Sequence, residues 1–248
     1  MEFEKKMKEI RRYWRSAENK EVCKPYSLEM EQIRQKVKYY APDAQKLCAE
    51  AKEKVVRWEY GTESYMHRGY YCPSPIGDIV LGNNKRGRIL KRVTSRSHPV
   101  FQYGFDEDDN LIYVKNTYQE EVILYSREKM IGITVGKDGI DVYSECDYKD
   151  QKLVSYYTAD VYGWEEGILS GELNKENYYY SENGLLESAD LISLLQCAYP
   201  ILQQIRFYFN HDEEGYLTEY YYNEFEKGKE IKDEGESTPI EIKIRRKV

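Results

Sequence analysis

The feature that most constrains this chain is a pattern that recurs between Phe101 and Phe225: alternating aromatic residues, an acidic or polar turn, then aliphatic residues. The clearest copies are Phe101-Gln-Tyr-Gly-Phe-Asp-Glu-Asp-Asp-Asn-Leu-Ile-Tyr, Tyr178-Tyr-Tyr-Ser-Glu-Asn-Gly-Leu-Leu and Phe207-Tyr-Phe-Asn-His-Asp-Glu-Glu-Gly-Tyr-Leu. Each is an alternating run broken by Asn, Asp or Gly, the signature of a β-hairpin. Ten short strands are expected, near 101–105, 111–117, 121–126, 130–135, 140–148, 152–159, 176–181, 184–188, 204–210 and 216–223. Tight turns between so many strands predict an antiparallel meander.

Two segments interrupt that pattern. Val161 to Glu172 places Trp164 in a Gly-bounded acidic loop, and the apolar run from Ala189 to Leu202 reads as a short buried helix stopped by Pro200. Lys227 to Thr238 reads as a charged linker, and Ile240-Glu-Ile-Lys-Ile as a last edge strand guarded by Arg245, Arg246 and Lys247.

The first 60 residues read as helices. Phe3, Met7, Ile10, Tyr13 and Trp14 share one face of a helix over 3–22. A second helix is expected from about Ser27 through Ile33, Val37 and Tyr40, and a third from Pro42 to near Trp58. Residues 61–100, rich in Gly and Pro, read as a connector carrying a basic hairpin from Ile79 to Leu90, with its tip at Asn83 to Gly87. The fold class is therefore α+β: a helical segment (1–60), a connector (61–100) and an antiparallel sheet domain (101–248).

Charge follows the same division. Residues 1–100 sum to +9, residues 101–225 to −17 and residues 226–248 to +1. An acidic sheet repels nucleic acid and steers cationic partners towards it. The 26 Tyr suit both strands and interfaces, because the ring packs while the hydroxyl stays wet.

Catalytic signatures are missing from the sequence. His67, His98 and His211 are far apart, and no GxSxG, GxGxxG, Walker loop or HExxH occurs. Five scattered Cys without a CxxC pair argue against a disulfide framework and a zinc site, and fit a reducing cytoplasm. No cofactor or metal is expected, nor a membrane segment, since no window approaches ~20 apolar residues.

What remains is a surface for a protein partner. The candidate contact residues are Asp106, Asp108, Asp109, Tyr113, Tyr157, Trp164, Glu165, Glu166, Tyr179, Glu182, Asp212, Glu213, Tyr220 and Tyr222, where aromatic and acidic side chains interleave. The units beginning at Tyr103, Tyr178 and Tyr208 resemble YD repeats of the Rhs type, with Phe105-Asp106 as the nearest aromatic-Asp step and Ser181 or Asn210 in its place elsewhere. As an acidic, Tyr-rich sheet protein, the chain also resembles the cytoplasmic immunity proteins of bacterial polymorphic toxin systems. That resemblance implies tight binding of a cognate basic toxin domain, such as a nuclease, rather than catalysis. A structural or adaptor module binding protein or glycan is the alternative, and a glycan-acting hydrolase the third reading.

Overall fold

A computed structural model describes residues 2–80, 86–94, 97–161, 171–197, 199–231 and 239–242, with the side chains of Glu2, Phe3 and Val80 excepted. Four helices and thirteen strands are present among them: α1 (Glu2–Trp14), α2 (Ala17–Tyr40), α3 (Ala44–Glu53), β1 (Arg57–Gly61), α4 (Gly77–Val80), β2 (Phe101–Phe105), β3 (Leu111–Lys115), β4 (Glu120–Tyr125), β5 (Lys129–Gly136), β6 (Gly139–Lys149), β7 (Lys152–Asp160), β8 (Gly171–Tyr180), β9 (Leu186–Gln196), β10 (Ile201–His211), β11 (Leu217–Glu226), β12 (Lys229–Glu230) and β13 (Ile240–Glu241). Helices therefore precede a large antiparallel meander, in which strand order follows chain order from β1 to β12 and β13 pairs with β11. By contacts the chain falls into two compact units, Val37–Tyr156 and Met1–Lys36 with Tyr157–Val248.

In the unit formed by Val37–Tyr156, alternation along the strands puts two apolar sets on opposite faces. One face carries Tyr113, Val122, Ile133 and Tyr143, which are at most 1% exposed, and α3 packs on it. Val55, just after α3, abuts Gly104, and Tyr40 stacks on Tyr143 with ring centroids 6.3 Å apart. The other face carries Phe101, Tyr103, Val114 and Glu121, and is met by the segment after β1. The Gly69 backbone lies against Phe101 and Tyr103, and Tyr70 N–H donates to the Tyr103 hydroxyl at 3.0 Å. The Gly/Pro-rich segment is thus part of the core: Met66, Arg68, Cys72, Ser74 and Ile76 are buried. The start of its expected basic hairpin is helical instead, because Ile79 and Val80 belong to α4; residues 81–85, which include part of the expected tip, and Arg96 lie outside the described residues. Arg86 turns inward to the carbonyls of Cys72 and Ser74 and to Asp78, 3.2 Å from Nε.

In the unit of 1–36 and 157–248, α2 lies on the β8–β10 face. Lys175 pairs with Glu29 at 2.6 Å, Gln204 donates to the Tyr26 hydroxyl at 2.7 Å, and Asn19 donates to Trp14 O and Pro200 O. The helix breaks after Trp14 rather than near residue 22, and α2 runs through Pro25 instead of starting at Ser27. An interior Pro forfeits one helical hydrogen bond. The burial of Cys23, Met30 and Ile33 on the same helix offsets that loss.

The expected helix over Ala189–Leu202 is instead β9 and the start of β10. Leu194 pairs across to Leu173 on one side and Leu202 on the other, and Ile192 to Lys175 and Gln204. A central strand with apolar residues on both of its faces reads as a continuous apolar run, which periodicity cannot separate from a buried helix. The third predicted helix likewise stops at Glu53, and Trp58 lies in β1. The acidic loop 162–170, most of the linker (232–238) and the terminal basic residues lie outside the described residues.

The three repeated copies build one turn. In each, the residue opening the turn (Asp106, Ser181 or Asp212) bonds through N–H to the carbonyl four residues on, and through C=O to the N–H three residues on. The third following residue is left-handed: Asp109 at φ 63°, Gly184 at 83° and Gly215 at 81°. This is a three-residue hairpin loop closed by a left-handed residue. The opening side chain also accepts the N–H four residues on, from Asn110, Leu185 and Tyr216 respectively. A register shift precedes each turn, and the Leu following it is buried: Leu111, Leu186 and Leu217. The third copy's turn therefore opens at Asp212, not at Asn210. Asp212→Ala, which removes two backbone N–H acceptances, should lower stability by about 1 kcal/mol in urea denaturation.

Candidate functional site: an acidic ridge and a buried polar cluster

Antiparallel pairing brings the β8–β9 and β10–β11 turns to one end of their unit. A Cβ built on Gly215 would lie 3.2 Å from Leu185 Cδ2, so the two turns touch. Their tips expose Glu182, Asp212, Glu213 and Glu214, forming an acidic ridge.

Behind the ridge, one sheet face continues with aromatic residues. Tyr179, Ser188, Tyr208 and Tyr221 form one cross-strand row, and Asn177, Asp190, Arg206 and Asn223 the next. Tyr208 and Tyr221 stack with centroids 4.9 Å apart. Arg206 grips Asp190 with two bonds, at 2.6 and 2.9 Å, and Tyr179 donates to the same carboxylate at 2.9 Å. Glu230 accepts from Tyr208 at 2.7 Å and from Asn223 at 2.8 Å. Asp190 bonded to its hydroxyl, together with burial as the larger cause, pushes Tyr179 up from its ordinary value. These bonds hold the Tyr179 and Tyr208 hydroxyls in place.

The sequence-derived contact residues are distributed unevenly. Tyr179, 44% exposed, and Glu182, Asp212 and Glu213 come together on the ridge and its adjoining face. Tyr222 is 40% exposed but points to the opposite face, level with Phe207. Asp106, Asp108 and Asp109 lie in the β2–β3 turn of the other unit, where Arg57 Nε donates to Asp109 at 3.1 Å. Tyr113, Tyr157 and Tyr220 are core residues at 0%, 4% and 8% exposure, so they offer no outer surface. Alternation identifies a strand without saying which of its faces is covered, and these three fall on the covered side. Trp164, Glu165 and Glu166 lie outside the described residues.

A second concentration of polar groups was not anticipated. Arg68, in the left-handed region at φ 60°, buries its guanidinium in the unit of Val37–Tyr156. Nε and Nη2 lie 2.9 and 2.8 Å from Glu121 Oε1, and Nη2 donates to Ser144 Oγ at 2.8 Å. His67 Nδ1 meets the Tyr156 hydroxyl at 2.9 Å. Its Nε2 lies 3.3 Å from the same Glu121 oxygen but is not aligned for a hydrogen bond. Burial alone raises the Glu121 carboxyl; Arg68 and His67 outweigh it and hold the group well below the usual carboxylate range. Gly132 makes the arrangement possible, because a Cβ there would overlap Arg68, Glu121 and Ser144 together. Arg68 lies 53 residues from Glu121 in sequence, and the packing of the segment after β1 on the sheet face that carries Glu121 brings His67 and Arg68 to it.

Among the described residues, no group of three or more His, Cys, Asp and Glu is placed to hold a metal ion, and no helix is long and apolar enough to cross a membrane. Cys23, Cys48, Cys72 and Cys146 are buried free thiols, and Cys197 is an exposed one. Burial pushes the Cys48 and Cys146 thiols up to about 12, which makes them inert as nucleophiles. The chain matches no protein-family model and no curated protein by sequence.

Proposed function

We propose that the protein binds and neutralises a basic protein domain in the manner of an immunity protein, using the acidic ridge as its point of contact. The observation that carries this reading is the side-by-side exposure of Glu182, Asp212, Glu213 and Glu214 on two touching turns, bordered by the row of Tyr179, Tyr208 and Tyr221. Clustered carboxylates accelerate encounter with a cationic surface. Tyrosines already held by Asp190 and Glu230 lose little freedom on binding, so they serve as anchors that slow release. Seated on a nuclease-like groove, the ridge would occupy the space and charge that the phosphate backbone needs.

The test is co-expression with the product of the adjacent reading frame. Wild-type protein should restore growth and co-purify with that product. Glu182→Gln/Glu213→Gln/Glu214→Gln removes three charges from exposed positions and should weaken rescue while the chain still folds, as circular dichroism checks. Absence of rescue and of complex formation by the wild type would overturn the proposal.

A further inference from the structure

The unit of Val37–Tyr156 contains a cavity of about 240 Å³ whose wall includes His67, Arg68, Glu121 and Thr134. Thr134 is 6% exposed, yet its Oγ1 has no hydrogen-bond partner. It pairs directly across from Glu121 on one side and Val142 on the other, both also in the wall. A buried hydroxyl without a partner is unfavourable, so a ligand group that reaches it from the cavity gains a hydrogen bond the fold leaves unmade.

We infer that this cavity binds a small neutral polyhydroxy compound of monosaccharide or cyclitol size. The wall carries the Arg68 guanidinium matched to Glu121, and its second carboxylate, Glu120, is already paired with Lys115 at 2.6 Å, so a lone anion or cation would find no uncompensated charge there. Contacts of Glu121 with Arg68 and His67 all fall on Oε1, which leaves Oε2 as an acceptor for a ligand hydroxyl. Thr134 supplies a group that both donates and accepts, as a hydroxylated ligand requires. Phe101, Val114 and Val142 give the same wall an apolar portion for C–H faces, and the Tyr65 ring, 81% exposed, stands among the lining residues. An entirely apolar ligand would strand the polar groups.

Titration of the full chain with myo-inositol, D-glucose and D-galactose, followed by saturation-transfer NMR and calorimetry, tests the inference. At least one should bind. Thr134→Val keeps the side chain's shape and removes a hydroxyl without a partner, so Tm should stay level or rise while affinity falls roughly tenfold. Tyr65→Ala, at an exposed ring, should also weaken binding with the fold intact. Lack of binding by all three compounds, equal affinity in Thr134→Val, or preferential binding of inorganic phosphate or ammonium would overturn it. Because the carboxylates of the acidic ridge belong to the other unit, the outcome is independent of toxin neutralisation.

Discussion

Gly132→Ala is expected to destabilise the protein by about 3–5 kcal/mol, far more than a strand Gly→Ala change ordinarily costs. In most strands the added methyl would help, since Gly carries excess entropy in the unfolded chain. Here the methyl would occupy the space of Arg68 Nη2, Glu121 Oε1 and Ser144 Oγ. The ion pair must then separate, and a separated pair in this environment is two uncompensated buried charges. Ser144→Ala, which removes one neutral partner of Arg68 and adds no bulk, should cost only about 1 kcal/mol. Thermal and urea denaturation of both variants check this ordering. A wild-type Tm for Gly132→Ala would show that the Arg68–Glu121 pair does not lie over β5.

Glu121→Leu should cost a comparable amount, about 3–5 kcal/mol, because it strands the Arg68 guanidinium, whose side chain is 1% exposed. The double variant Arg68→Met/Glu121→Leu should recover most of that loss, since it leaves no buried charge. Acid provides an independent check. The folded carboxyl lies below its unfolded value of about 4.3, so its contribution is complete above that pH and is lost as pH falls through the folded pKa. The stability gap between wild type and Glu121→Gln should therefore be constant near neutrality and narrow progressively below about pH 4. A gap that widened in acid would reverse the sign and refute the assignment.

The meander was legible because its turns are written locally. Asp106, Ser181 and Asp212 each bond backbone groups within four residues, and an alternating strand follows. The segment Ala189–Leu202 was not legible as strand: its apolar run carries no period of two, and only pairing with β8 on one side and between β9 and β10 reveals it. Gly61 and Gly69 suggested a connector, yet both are backbone positions where the chain closes on Tyr103. The polar cluster was hidden for a different reason. His67, Arg68, Glu121, Ser144 and Tyr156 come from four separate stretches, and no spacing in one dimension encodes a contact made across strands. The same limit explains Tyr113, Tyr157 and Tyr220: their neighbours' charge marked them as surface, while burial depends on which face α3 or another element covers.

Of the candidate contact residues, those at turn tips were the easiest to place, because a hairpin tip is exposed whichever face of the sheet is covered. Glu182, Asp212 and Glu213 are exposed at such tips. The central claim is that these carboxylates steer a basic partner. Stopped-flow association of the full chain with the purified product of the adjacent reading frame, over a range of ionic strength, tests it most directly. For the wild type, the association rate should fall steeply with salt, and for Glu182→Gln/Glu213→Gln/Glu214→Gln it should begin roughly tenfold lower and change little. Equal rates and equal salt slopes for the two proteins would contradict the account.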